Sequence, residues 1–280
     1  MNDSDSTDGS SASGAGQSRR KAGGACVVVT GAGGGIGLAV VQRLLRDGWA
    51  VLATDRDAAA MTALETLEQG HAGLWTLAMD VSSRAQIDEA GRQADARGVA
   101  VAGLVNVAGI LQDVGPLLAM DLEAQRRIWD VNYFGAEQCL QAFAPRMVAN
   151  GGGAIVNITS INELQPLPLH AYAPSKVALG ALTRLAAGEL GAKGVRVNAV
   201  APGFTLTPIF KEKLESGKRD AGAIEAHTAL GRLVGTEEIA AAVSFLLSDE
   251  ASAITGVSLP VDAGWLSTAH WMNFGTLLAQ

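Results

Sequence analysis

The feature that most constrains this chain is a glycine-rich loop held between two apolar segments. "CVVVT" (26–30) is a short continuous apolar run, "GAGGGIG" follows it, and "LAVVQRLLRDG" then shows helical spacing with a glycine stop. An unbroken apolar run of that length reads as a strand covered on both faces. "AVLATD", "LWTLAMDV", "VAGLVNVAG", "GAIVNITS", "VRVNAVAPG" and "GVSLPVDAG" repeat the strand pattern, with helical stretches between them. Such alternation predicts an α/β fold, with one doubly wound parallel sheet of about seven strands and helices on both faces. Neither an internal repeat nor a domain boundary follows Ala25, so 25–265 is expected to form a single Rossmann-type domain.

Residues 1–24 are polar and rich in Gly, Ser and Asp, and are expected to be disordered. Residues 266–280 form a C-terminal tail, aromatic for its length. "SRRKAG" carries paired arginines, but no long apolar segment follows, so no leader and no membrane span is expected. A net charge of −7 argues against nucleic acid as a partner and favours a soluble cytoplasmic protein. Hydrophobic residues make up 48% of the chain, enough for a sizeable core. Cys26 and Cys139 read as reduced core thiols. The four histidines are scattered without zinc spacing, so no metal is expected.

The loop does not fit G-x-G-x-x-G, because Ile36 takes the last place; it fits Thr30-Gly31-x-x-x-Gly35-x-Gly37. The physics is unchanged. A loop that leaves a strand and opens a helix turns free N–H groups and a positive dipole end toward a pyrophosphate. Missing side chains let the phosphates approach. Gly31, Gly34, Gly35, Ile36 and Gly37 are therefore candidate cofactor residues. Asp55 ends the second apolar run, 18 residues past Gly37. A carboxylate there binds both ribose hydroxyls of NAD and repels a 2′-phosphate. Its alternative is a helix N-cap. Arg56 is the rival that would favour NADP, but the loop itself holds no Arg or Lys, so NAD is expected.

"YAPSK" places Tyr172 and Lys176 four residues apart, on one face of a helix. An ordinary tyrosine is a poor base at neutral pH. A nearby ammonium favours the phenolate, so the pair suits proton transfer to or from an alcohol oxygen. Taken alone, the pair is equally an amphipathic helix with a snorkelling lysine.

The motifs in order are "TGAGGGIG" (30–37), "DV" (80–81), "NVAG" (106–109), "VNYFG" (131–135), "IVNITS" ending at Ser160, "YAPSK" (172–176) and "PGFTLT" (202–207), closed by "FLLSDEASAITGVSLPVDAGW". This series resembles the short-chain dehydrogenase/reductase (SDR) family over roughly Ala25 to Trp265. The resemblance implies Tyr172 as acid/base, with Lys176 binding the nicotinamide ribose and lowering the tyrosine pKa. It implies Ser160 as a donor to the substrate oxygen, and Asn132 holding a water that links Lys176 to solvent. It further implies Asp80 and Val81 at the adenine, and Asn106, Ala108 and Gly109 along the adenosine ribose. Pro202 and Gly203 would turn the chain, and Thr205 and Thr207 would approach the nicotinamide. A mobile substrate lid at about 205–232 and a homotetramer built on the helices of Asn132 and Tyr172 are also implied.

Three departures stand out. Val107 replaces a usual asparagine, for which a local sheet adjustment is expected. The spacing from Ser160 to Tyr172 is 12, one shorter than common, which makes Thr159 a rival hydroxyl. Ala263 stands where glycine is usual. For the substrate, Leu164, Leu167, Leu169 and the aromatic tail suggest an apolar or cyclic secondary alcohol. Asn162, Glu163 and His170 would instead suit a hydroxyl-rich one. The tail packs on a neighbouring subunit, covers the substrate mouth, or is ordinary core. The expected activity is NAD-dependent alcohol dehydrogenase or carbonyl reductase. The rivals are an NADP-linked ketone reductase and an NAD(H) sensor without turnover.

Overall fold

A computed structural model describes residues 25–270; the expected N-terminal tail and residues 271–280 lie outside the described residues. The first half runs β1 (Ala25–Thr30), α1 (Gly35–Arg46), β2 (Ala50–Asp55), α2 (Ala58–Glu68), β3 (Leu74–Ala78), α3 (Arg84–Ala96) and β4 (Ala100–Asn106). Next come α4 (Leu122–Trp129), a π-helical turn (Asp130–Gly135), α5 (Ala136–Ala149), β5 (Gly153–Ile158), α6 (Ile161–Leu164), α7 (Tyr172–Leu190) and β6 (Val195–Pro202). The chain then forms α8 (Pro208–Glu215), α9 (Ala221–Glu225), α10 (Thr236–Leu247), β7 (Ser258–Val261) and α11 (Trp265–Thr268).

All seven expected strands form, and they pair in parallel in the order β3-β2-β1-β4-β5-β6-β7. The pleat sorts successive residues to opposite faces. Val27 and Val29 pack with Val40 and Leu44 of α1 and with Ile239 and Val243 of α10. Cys26 and Val28 face the other way, onto Ile87 of α3 and Phe143 and Met147 of α5. Each such fully buried side chain contributes about 1.5–3 kcal/mol. Both cysteines are free and buried, and burial pushes each thiol up to about 12. They are inert packing groups.

The sheet reverses direction of growth between β1 and β4, and the strand ends there open a crevice where ligands of such sheets bind. The adjustment expected at Val107 is not found there. The pairing of β1 with β4 shifts register between Cys26 and Val27, at the opposite end of the strand. Val107 leaves the sheet, donates its N–H to Thr30 Oγ1 and packs against the first core face.

Candidate active site

Backbone builds the side expected to hold the cofactor. Thr30 Oγ1 accepts from Val107 N at 3.2 Å and Ala108 N at 3.3 Å, tying the end of β1 to the end of β4. The loop then folds back so tightly that a Cβ on Gly37 would lie 1.9 Å from the Gly31 carbonyl oxygen. Gly34 faces open space and begins α1 without a side-chain cap, and the first turn holds no acidic residue. The N–H groups at that helix end are therefore offered to the cleft.

Gly31, Gly34, Gly35, Ile36, Asp55, Asp80, Val81, Ala108, Gly109 and Thr207 line one cleft of about 390 Å³. Gly37 lies behind the loop rather than on the cleft wall. Asn106 also lies behind it: its Nδ2 donates to Asn157 Oδ1 at 2.9 Å, and its buried Oδ1 has no partner among the described residues. Asp55 is not a helix cap. Asp57 caps α2 by accepting from Ala60 N, while Asp55 accepts from Gly33 N and Asp57 N, both at 3.0 Å. Arg56 lies 3.6 Å from Asp80 Oδ2. Burial opposes ionisation of Asp80, but hydrogen bonds from Ser82 and the Arg56 charge outweigh it and hold the carboxyl below its ordinary value. An uncapped helix end and a carboxylate lining one cleft fit the pyrophosphate and ribose of a dinucleotide.

The adjoining pocket is built from side chains. Tyr172 opens α7 and Lys176 follows one turn later. Gln112 Oε1 fixes that start by accepting from Ala171 N at 2.8 Å and Tyr172 N at 3.1 Å. Ser160 Oγ accepts from Asn162 N at 3.2 Å and Asn162 Nδ2 at 3.1 Å. Ser160 and Tyr172 share the pocket wall, and the Ser160 hydroxyl pulls the Tyr172 pKa down. Thr159 is tied into the sheet instead, donating to Val200 O at 3.1 Å.

Lys176 Nζ donates to Ile158 O at 2.8 Å and lies 5.6 Å from the Tyr172 ring centre. Burial pushes Lys176 down to about 8, against the upward pull of the Glu163 charge. Burial likewise raises Tyr172, and the opposing influence is the Ser160 hydroxyl rather than the expected lysine. One of the three ammonium donors is held by the Ile158 carbonyl. In the π-helical turn, Asn132 Oδ1 accepts from Ile110 N at 2.7 Å, and Nδ2 donates to Ile110 O and Ser175 Oγ.

The pocket, about 280 Å³, is lined by Ser160, Asn162, Leu167, Leu169, Tyr172, Lys176, Pro202, Gly203, Phe204, Thr205, Thr207 and Phe210, with Lys213 and Arg219. Three expectations fail here. Leu164 is 48% exposed and off the lining. Glu163 turns away, accepting from Ser258 Oγ at 2.6 Å and Arg184 at 3.2 Å. His170 does not line the pocket. The segment 205–232 carries α8, capped by Thr207, and α9, capped by Asp220. Just before the tail, Trp265 is buried edge-on against Phe204 at 5.7 Å, and Phe204 meets Phe210 at 6.1 Å. Thr268 Oγ1 donates to His227 O at 2.7 Å, pinning α11 to the end of that segment. Sequence reasoning does not single out Gln112, Lys213 or Arg219. No periodicity marks them, and only tertiary placement brings them here.

A family model described as enoyl-(acyl carrier protein) reductase matches residues 31–266. The chain belongs to the short-chain dehydrogenase/reductase family. It is 38% identical over 87% of its length to an uncharacterised short-chain type dehydrogenase/reductase, y4vI, of Sinorhizobium fredii, of which it spans 44%. It is 36% identical over 85% of its length to cis-4-hydroxycyclohexanecarboxylate dehydrogenase of Sinomonas cyclohexanicum, covering 95% of that protein. A solved structure of ElxO with NADP bound superposes with a TM-score of 0.83 at 29% identity, covering 88% of this chain and 100% of that one. This SDR is an oxidoreductase of a family that binds a nicotinamide cofactor. Among the described residues, no helix is long and apolar enough to cross a membrane, and no acidic, His or Cys cluster is placed to hold a metal.

Proposed function

We propose that this SDR transfers a hydride between a secondary alcohol with an apolar or cyclic body and NAD, working as one domain over 25–265. The observation that carries the reading is the pairing of Ser160, held by Asn162, with Tyr172 on the wall of the apolar pocket beside the cofactor cleft. In oxidation, Ser160 donates to the substrate oxygen and Tyr172 takes its proton. Lys176 holds positive charge beside the phenol, and Asn132 keeps the 110 loop against α7. NAD, when bound, supplies the ring that accepts the hydride. The apolar walls Leu167, Leu169, Phe204 and Phe210 suit a ring or short hydrocarbon, and the name of the Sinomonas relative points the same way.

Asp55 supports NAD, because its carboxylate faces the cleft where a 2′-phosphate would meet it. The NADP-bound neighbour weighs for the alternative cofactor. A homotetramer is supported by the exposed Phe134, Val177 and Leu185 on the elements that carry Asn132 and Tyr172. The test is NADH or NADPH formation across secondary alcohols and cyclic diols, repeated with Asp55→Ala. NAD should lead, and the variant should narrow the preference about tenfold. An unchanged cofactor ratio would remove Asp55 from its role. Bound NADH without turnover of any alcohol would leave a sensor.

A further inference from the structure

The substrate pocket carries a charge opposite to that of the whole protein. The chain has a net charge of −7. Yet the ionisable side chains on the pocket wall, Tyr172 apart, are Lys176, Lys213 and Arg219, with no carboxylate among them. Lys176 belongs to the proton machinery at the floor. Lys213 on α8 and Arg219 just before α9 sit on the wall supplied by the 205–232 segment. Neither lines the dinucleotide cleft, so the cofactor's phosphates do not account for them.

The local pairing is incomplete. Lys213 Nζ meets Asp113 Oδ1 at 2.8 Å, but that carboxylate is 85% exposed while the lysine side chain is 17% exposed. Asp113 also feels Lys218 and Arg219, so one exposed carboxylate stands against three cations. The only hydrogen bond of the Arg219 guanidinium among the described residues runs to the Lys218 carbonyl, at 3.3 Å. Glu212 and Glu215 also lie on α8, and Asp220 caps α9 through Ala223 N; none of them lines the pocket.

We infer that Lys213 and Arg219 form an anion subsite, and that the substrate is a hydroxy acid. Its secondary hydroxyl lies at Ser160 and Tyr172, its apolar body between Leu167, Leu169 and Phe210, and its single carboxylate at the two cations. This rests on the dehydrogenase reading for the hydroxyl end only. A guanidinium presents a planar fork that matches a carboxylate, and charge-assisted hydrogen bonds of this kind are the strong ones.

The test uses ligands that cannot react. Affinities of cyclohexanecarboxylate and cyclohexanecarboxamide are measured by calorimetry, on the protein alone and with NADH present. The carboxylate should bind at least about tenfold more tightly, and the gap should shrink as salt is raised. Lys213→Ala and Arg219→Ala should each cost the carboxylate more than the carboxamide, and Arg219→Lys should restore part of the loss. Equal affinities in the wild-type protein, or an equal loss of both ligands in the variants, would overturn the subsite. Because neither ligand carries a hydroxyl, the difference between them does not depend on turnover. Neutral cyclohexanols oxidised with no gain from a carboxylate would leave the dehydrogenase reading standing without the subsite.

Discussion

The two clefts of this SDR share a wall and are made of different materials. Backbone forms the side proposed for the dinucleotide: the 30–37 loop, an uncapped helix end and the strand ends of β1 and β4. Side chains form the other: Ser160 steered by Asn162, Tyr172 set by Gln112, and two cations from the 205–232 segment. Backbone constrains sequence through sterics, since few residues tolerate a close approach. A side-chain pocket constrains it through chemistry, so substitution shifts rates and preferences before it threatens the fold.

Four substitutions probe that contrast. Tyr172→Phe strikes the substrate pocket and should lower turnover by about 10²–10⁴-fold while NADH still binds, as read by steady-state kinetics and fluorescence titration. Comparable activity in the variant would remove Tyr172 from the chemistry. Gly37→Ala strikes the backbone side, where the new methyl would meet the Gly31 carbonyl oxygen. It should cost roughly 3 kcal/mol in denaturant unfolding and weaken NADH binding together, because fold and site are one object there. Asn162→Ala strikes the side-chain side and should leave NADH affinity intact while kcat falls about tenfold. Ser160 then loses the amide donor that steers it and is free to turn its proton elsewhere. Since the Ser160 hydroxyl pulls the Tyr172 pKa down, its loss raises that pKa. The rising limb of kcat/KM for alcohol oxidation, which needs the phenolate, should therefore move to higher pH. If the profile stays fixed while kcat drops, Asn162 acts only through packing. The smallest effect belongs to Ala263, the one non-glycine residue at positive φ among the described residues, at 53°. Ala263→Gly should stabilise the fold by about 1 kcal/mol and leave cofactor preference alone.

The same division decides what is legible in the sequence. The inner strands are legible because a strand covered on both faces is a continuous apolar run, while the partly exposed edge strands β3 and β7 are legible from their place in the strand–helix alternation. Ala263 is visible as a departure, and its positive φ explains why glycine is usual there. The π-helical turn is not legible, since one extra residue in a turn leaves no mark on apolar spacing. Leu164 and Glu163 are misplaced for a related reason. In a four-residue helix following Ser160, sequence does not say which side chain faces the pocket and which turns to β7. Lys213 and Arg219 lie within "KEKLESGKRD", where charge of both signs hides the two cations that point inward. The tyrosine's environment is half legible. Its partner lysine is evident, whereas the burial that raises its pKa and the serine that opposes it come together only in three dimensions.

Ile36, Val107, Gly109, Ile110, Thr207 and Ile209 line both clefts at once. A partition this thin has a meaning for the rate law. Occupancy of one side alters the surface the other ligand meets, and no intermediate has to be parked on the protein between two separate visits. Double-reciprocal plots at several fixed concentrations of the second ligand should therefore intersect rather than run parallel.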